Sequence, residues 1–146
     1  MTEAHTSPES TSAPALADAD PHSPQPLHTT VDPHEALREA HDRLAHQSQV
    51  VLRLGQMLLA SGASAYRVKA SMATLAHAVG ISEHRAQVTY TEIIATSYAN
   101  GTFRTGLAEQ RTMGVNADRI DRLNNLVASL KGRTVLAEDV ARSLDE

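Results

Sequence analysis

The sequence contains no cysteine and no tryptophan, and only one phenylalanine and three tyrosines. The absence of cysteine excludes a disulfide scaffold, a thiol nucleophile and a thiolate zinc site. Residues 34–146 hold all 13 basic residues and 12 of the 17 acidic ones, so this part is nearly neutral. That balance and the few aromatic residues argue against nucleic-acid binding, which normally combines a basic surface with aromatic stacking positions. We therefore expect no nucleic-acid partner.

Long apolar runs are also missing. Arg53 and Gln56 break the longest apolar stretch, which stays far below the roughly 20 residues that a membrane-spanning helix needs. The N-terminus shows neither the charged segment nor the apolar segment of a secretory signal. These features predict a soluble chain.

Proline and glycine divide the sequence into two parts. All six prolines lie in the first 33 residues, and all seven glycines lie between Gly55 and Gly132. Residues 1–33 contain five acidic residues, no Lys or Arg, and too few apolar side chains to offset the entropy of ordering. We predict a disordered acidic tail over residues 1–33 and one small folded domain over residues 34–146.

Two helices are predicted at the start of this domain. Asp32 is a suitable N-cap, and Pro33 suits the first helical position. Apolar residues then recur at helical spacing, at Leu37, Leu44, Val51, Leu54 and Leu58. Gly62 is expected to end this helix in a left-handed conformation, and Ser64 to cap a second helix that runs to Gly80. So short a link predicts a helical hairpin.

One core is expected to hold the helices together. Gly55 interrupts the apolar stripe at a cost of about 1 kcal/mol relative to alanine, and we interpret it as a close packing contact. The residues expected to share the core are Leu54, Leu58, Val68, Met72, Leu75, Leu123 and Val127. The stripe of the first helix is wider than one small helix covers, which predicts self-association or contact with a membrane partner through that helix. Complete coverage within the domain is the alternative.

A change of periodicity after Gly80 predicts strands. β-Branched and aromatic residues alternate there, and Asn100-Gly101 lies between two such runs as a hairpin turn. The expected strands are at about 86–91, 93–99 and 102–108. One bent strand across Thr91-Glu92 is the alternative to the first two.

Two further helices complete the predicted domain. Asn116 or Ala117 begins the third helix and Gly132 ends it, while Thr134 caps a fourth helix that reaches Leu144. The order of elements is a helical hairpin, a three-stranded antiparallel meander and two C-terminal helices. This order predicts an α+β fold.

Three short motifs follow one another along the domain. The first is Ser61-Gly62-Ala63-Ser64, with Tyr66-Arg67-Val68 behind it. The second is the helix end from Leu75 to Gly80, before a strand rich in valine and threonine. The third is Arg111 with Gly114-Val115-Asn116, before a helix. In this order the motifs resemble the N-terminal domain of the threonine/serine exporter family.

The resemblance covers about residues 47–146 and implies a role in transport. Members of this family continue into a bundle of transmembrane helices, and they move threonine and serine outward. The resemblance implies a domain on the cytoplasmic side of the cell membrane with a regulatory or assembly role. The partner of this domain is then the transmembrane exporter domain, in the same protein or as a separate subunit. The resemblance implies neither a cofactor nor an enzymatic activity.

Seven residues are candidate contacts for a ligand or a partner: Ser61, Gly62, Ser64, Arg67, Arg104, Arg111 and Asn116. Arg67 is informative because the helix macrodipole disfavours a cation in the first turns of a helix. We expect a carboxylate of the protein beside it, with a ligand carboxylate or a lipid phosphate as the alternative.

A small serine hydrolase is the alternative function. It would use Ser61 or Ser64 as nucleophile and a histidine such as His77 as base, but the glycine-serine-glycine elbow after a strand is missing. Capping is the commoner role of a serine at a helix boundary. The histidines lack metal-ligand spacing, so we expect no metal site and place His41, His46, His77 and His84 on the surface.

Overall fold

The computed structural model describes residues 31–146 of the chain. Its elements are α1 (Pro33–Ala60), α2 (Ala65–Ala78), β1 (Glu83–Val88), β2 (Glu92–Ala99), β3 (Thr102–Glu109), α3 (Ala117–Leu130) and α4 (Ala137–Asp145). This order confirms the predicted α+β fold with a helical hairpin, a meander and two C-terminal helices. The predicted disordered tail covers residues 1–33, of which residues 1–30 lie outside the described residues. The last two residues of that range belong to α1, because Asp32 caps this helix and Pro33 begins it.

Caps and a left-handed glycine form the helical hairpin. The carboxylate of Asp32 accepts a hydrogen bond from the amide of His34 at 3.0 Å, at the start of α1. Gly62 has φ of 89°, as expected for the residue that ends this helix. The hydroxyl of Ser64 accepts a hydrogen bond from the amide of Arg67 at 3.4 Å and so begins α2.

The sheet has the order β1-β2-β3, with both neighbouring pairs antiparallel. Asn100 and Gly101 have φ of 50° and 75°, the two positive values that a type I′ hairpin requires. In the other connection, the amide of Thr89 donates to the carbonyl of Glu92 at 2.9 Å, and its hydroxyl accepts from the Glu92 amide at 3.1 Å. This turn separates β1 from β2, so the alternative of one bent strand is wrong.

The predicted start of the first strand is wrong by three residues. β1 covers Glu83–Val88 and not 86–91. Its first residues are polar, and they are ordered by pairing with β2, where Glu83 lies opposite Tyr98 and Arg85 opposite Thr96. Pairing with a neighbouring strand therefore outweighs the local propensity of these residues.

The predicted cap of the fourth helix is also wrong. α4 begins at Ala137, with Leu136 in the N-cap position and no side-chain capping bond, so Thr134 does not cap it. The amide of Val135 donates to the carbonyl of Ala78 at 2.9 Å. This bond ties the chain to the end of α2, and the helix starts only beyond it.

The long helix α1 follows β3 along one face of the sheet. His41 lies near the start of β3, with its Nδ1 3.3 Å from the hydroxyl of Thr102. Further along both elements, the side-chain amide of Gln56 donates to the carbonyl of Glu109 at 3.0 Å. α1 and β3 therefore run in the same direction, and the core lies between the sheet and the helices.

The seven residues predicted to share a core are all buried, with at most 6% of each side chain exposed. Gly55 is a packing contact, as predicted. A methyl group at this position would overlap the sulfur of Met72 and lie 3.1 Å from Cδ1 of Ile93. The close approach of α1 to α2 and β2 therefore depends on this glycine.

The apolar stripe of α1 is covered within the domain itself. Its buried members are Leu44, Val50, Val51, Leu54, Leu58 and Leu59. Leu37, in the first turns, is the only exposed leucine of this helix. The stripe is therefore ordinary core, and it does not supply the surface for self-association that its width had predicted.

Candidate functional site at the helical elbow

The first sequence motif forms the turn between α1 and α2, which we call the elbow (residues 61–64). Ser61 is buried, and its hydroxyl donates a hydrogen bond to the carbonyl of Met57 at 2.8 Å. At Gly62, an added Cβ would lie 3.0 Å from the carbonyl oxygen of Gly114. Because its φ is also positive, this position favours glycine for two independent reasons.

The third sequence motif folds back onto the elbow. The amide of Gly114 donates to the carbonyl of Ala60 at 3.0 Å, and the amide of Asn116 donates to the carbonyl of Ser61 at 3.1 Å. These bonds satisfy carbonyl groups that the end of α1 would otherwise leave unpaired. The side chain of Asn116 also caps α3, because it accepts a hydrogen bond from the amide of Arg119 at 2.9 Å.

A cleft of about 560 Å³ opens beside the elbow. Its walls come from the elbow, the start of α2, the end of β1 and the segment before α3. The lining residues are Leu59, Gly62, Ala63, Ser64, Ala65, Val88, Thr89, Tyr90, Met113, Gly114 and Val115. Most of them are apolar, and the side chain of Val115 is 93% exposed at the edge. The elbow cleft is therefore suited to apolar groups of a partner or ligand.

The three candidate arginines do not line the cleft. Arg67 is exposed in the first turn of α2, and Arg104 is exposed on β3. Arg111 is exposed and pairs with Glu109 at 3.4 Å. Within residues 31–146 no ion pair involves Arg67, so the carboxylate expected beside it is not present in that part of the chain. The structure thus gathers Ser61, Gly62, Ser64 and Asn116, and it leaves the arginines apart.

Ser64 and His77 lie at opposite ends of one helix. Ser64 caps α2, and His77 lies in the last turn of that helix. At a rise of about 1.5 Å per residue, the two positions are separated by roughly 20 Å along the helix axis. The hydroxyl of Ser61 is already bound to a backbone carbonyl. This geometry does not bring Ser64 and His77 together as a nucleophile and a base.

One histidine lies inside the domain, contrary to the prediction of surface positions. His84 is half-buried on β1, with Nδ1 3.0 Å from the hydroxyl of Ser97. Its Nε2 is buried and has no hydrogen-bond partner among residues 31–146. Burial lowers the pKa of His84. The prediction failed because β1 begins earlier than expected, and strand alternation then turns His84 toward the helices.

Metal ligands do not cluster in the described part of the chain. Among residues 31–146, no group of three or more histidine or acidic side chains is close enough to hold a metal ion. In the same region, no helix combines the length and the apolar character needed to cross a membrane.

Comparison with known proteins identifies the family. The family model of the threonine/serine exporters matches residues 49–146, which include the elbow, the sheet and both C-terminal helices. No curated protein and no solved structure matches the chain significantly. Because the family model matches more than half of the sequence, the chain belongs to the threonine/serine exporter family.

Proposed function

We propose that residues 31–146 form a soluble domain on the cytoplasmic side of the membrane that regulates or assembles a threonine/serine exporter. The observation that carries this proposal is the family match over a region that has no membrane-crossing helix. The transport path then belongs to transmembrane helices, in the same protein or in a separate subunit. The domain has no enzymatic activity in this proposal.

The elbow cleft is the contact that we propose for the transmembrane part. Three of its lining residues, Tyr90, Met113 and Val115, are exposed and apolar, so a partner that covers them gains burial of apolar surface. Arg67 lies two residues beyond the lining and adds a positive charge to the neighbouring surface. An acidic group on the partner would complement it.

Efflux of threonine from loaded cells tests this function. In cells that lack the gene, efflux should return when this domain is expressed together with the transmembrane part. It should be lost again when residues 31–146 are deleted. Val115→Asp places a charge at the edge of the cleft and should reduce efflux strongly. It should leave folding intact, because the side chain of Val115 is 93% exposed.

A matched variant separates contact from general damage. Leu136 is also exposed, lies outside the elbow cleft and occupies the N-cap of α4, where aspartate is well tolerated. Leu136→Asp should therefore leave efflux unchanged. Normal efflux after deletion of residues 31–146 would contradict the proposed function. Normal efflux with Val115→Asp alone would contradict only the assignment of the cleft.

A further inference from the structure

A second cleft, of about 330 Å³, opens between the end of α2 and the loop that connects α3 to α4. We call it the loop cleft; its lining includes His77 of α2 and Lys131, Gly132, Arg133 and Thr134 of the loop. Three of these side chains are basic, and no acidic side chain of residues 31–146 lines the cleft. His77 is in the last turn of α2, roughly 20 Å along the helix from the elbow, so the two clefts are separate.

Other clefts of similar size contain both signs of charge. A neighbouring cleft of about 390 Å³ combines Arg43 with the carboxylates of Asp42 and Glu138. A cleft of about 430 Å³ contains Arg53 together with Asp145, and these two side chains form an ion pair. In both places the protein supplies the counter-charge itself. The loop cleft lacks such a carboxylate, so its positive charge is available to an anion from outside the domain.

The three basic side chains of the loop cleft take part in no ion pair within residues 31–146. Basic side chains near helix ends often bind the last carbonyl groups of the helix. Here the carbonyls of the last four residues of α2 already accept hydrogen bonds from the amides of Val79, Gly80, Ile81 and Val135. The carbonyl of Leu130, at the end of α3, accepts from the amide of Arg133 at 3.1 Å. The helix ends therefore do not need these side chains as hydrogen-bond donors.

Helix dipoles leave most of the positive charge in place. The C-terminal end of a helix carries about half a unit of negative charge, so the ends of α2 and α3 together contribute about one unit. Lys131 and Arg133 contribute two full positive charges. The loop cleft therefore keeps a net positive charge even when the imidazole of His77 is neutral.

The loop backbone offers two further donors. Within residues 31–146, the amides of Gly132 and Thr134 have no backbone acceptor, whereas those of Lys131 and Arg133 are bonded. Gly132 has φ of 70°, and a Cβ at this position would meet no atom within 4 Å, so the space beside it is open. The bond from the amide of Val135 holds the loop against the end of α2. Free amides next to basic side chains are typical donors of anion sites.

We propose that the loop cleft binds a phosphate group. Lys131 and Arg133 supply two positive charges, which match the charge of about −1.5 to −2 of a phosphate monoester at pH 7. His77 and the two free amides add donors for its three terminal oxygens. A carboxylate, with one charge and two oxygens, would leave one of the two cations unpaired. This proposal does not depend on the proposed transport function.

Two sources carry this chemistry, the headgroup of an anionic phospholipid and a soluble phosphate compound. Basic side chains close to an anionic membrane surface are attracted to it, so a lipid headgroup would hold this end of the domain at the membrane. A soluble phosphate compound would fill the same cleft away from the membrane. The donors that we assign recognise the phosphate group in both cases.

Titration of the isotope-labelled full chain with inorganic phosphate tests the site directly. The amide resonances of Gly132 and Thr134 in the nuclear magnetic resonance spectrum should shift and reach saturation. Sodium chloride at the same ionic strength should not produce this saturation, and added salt should weaken phosphate binding because it screens the charges. Absence of a saturable shift at these two amides overturns the proposal.

Two double variants with the same loss of charge separate the site from general electrostatics. Lys131→Gln/Arg133→Gln removes both cations of the cleft and should weaken phosphate binding at least about tenfold. Lys69→Gln/Arg38→Gln removes the same two types of side chain from exposed positions outside the cleft, and it should bind phosphate as the wild type does. All four side chains are exposed, so both variants should fold. Equal losses in the two variants overturn the proposal.

Cosedimentation of the full chain with phosphatidylcholine vesicles, with or without phosphatidic acid, separates the two sources. A lipid headgroup as ligand predicts binding only to vesicles that contain phosphatidic acid. That binding should be at least about tenfold weaker for Lys131→Gln/Arg133→Gln than for the control variant. Saturable binding of inorganic phosphate without vesicle binding supports the site and assigns it to a soluble phosphate compound. Vesicle binding that both variants weaken equally overturns the lipid source.

Discussion

The two faces of the sheet differ in both burial and side-chain size. The inner face of β2 carries Ile93, Ala95, Ser97 and Ala99, all buried, and three of these four are small. The outer face carries larger side chains that no part of residues 31–146 covers. Side-chain size is thus a poor guide to burial here, because small residues mark the places where helices approach the strands closely.

Neighbouring residues of β2 therefore differ in what a truncation of their side chains does to stability. On the inner face, side chains exchange water for close-packed neighbours, so truncation leaves a cavity and costs stability. On the outer face, truncation mostly changes an area that water already reaches. Substitutions on the two faces of β2 should therefore differ in their effect on the free energy of unfolding.

The largest contrast is expected between Ile93 and Ile94, which are adjacent and point to opposite faces. Ile93 is fully buried and Ile94 is 38% exposed. Ile93→Ala should lower the free energy of unfolding by about 2–5 kcal/mol, whereas Ile94→Ala should cost less than about 1 kcal/mol. Urea unfolding at low protein concentration measures both values. Equal losses would mean that the outer face is covered in the monomer.

The next largest effect is expected at Gly55, where α1 contacts the inner side of β2. Gly55→Ala gains about 1 kcal/mol of helix propensity, but the new methyl group would overlap buried Met72. Overpacking of this kind costs about 1–3 kcal/mol or more, so we expect a net loss of stability. Gly114→Ala is the control, because a Cβ there meets no atom within 4 Å.

A double variant sharpens the interpretation of that result. Met72→Ala alone leaves a cavity that the methyl group of Gly55→Ala would partly fill. The double variant should therefore be more stable than the sum of the single losses predicts. Additive losses would show that Gly55 and Met72 are not in direct contact.

Local signals in the sequence predicted the elements with specific backbone chemistry. Asp32, Ser64 and Asn116 cap the helices as their residue types indicate, and the turn at Asn100-Gly101 has the predicted positive φ values. The role of such residues depends on neighbours only a few positions away along the chain. Their prediction needs no knowledge of the tertiary structure.

Features that depend on distant contacts could not be predicted in this way. The polar start of β1 is ordered by pairing with β2, and the burial of His84 follows from that pairing. At the elbow, the bonds from Gly114 and Asn116 to the end of α1 involve backbone groups, which no residue type reveals. Alternation along β2 and β3 likewise defines two faces without showing which one the helices cover.

A smaller effect on the inner face depends on pH. Burial lowers the pKa of His84 in the folded state below its ordinary value of 6.5. The unfolded chain therefore binds a proton that the folded domain excludes, and the free energy of unfolding should fall as the pH decreases below about 6.5. Above that pH, His84 is neutral in both the folded and the unfolded state, so its titration no longer changes the free energy of unfolding.

Urea unfolding between pH 8 and pH 5 measures this dependence. His84→Asn should flatten the decline, even if the variant is less stable at every pH because packing is lost. His77→Asn removes an exposed histidine and is the matched control. An identical decline in wild type and His84→Asn would assign the pH dependence to other groups.

The smallest effect is expected at Thr105, on the outer face of the sheet opposite Thr96. Its hydrogen bond with Thr96 is exposed, and such a bond contributes little because water competes for both hydroxyls. Thr105→Val keeps the side-chain shape and suits a strand, so the free energy of unfolding should change by less than about 0.5 kcal/mol in either direction. Urea unfolding measures this change. A loss above about 1 kcal/mol would indicate a buried hydrogen bond, and the outer face would then be covered in the monomer.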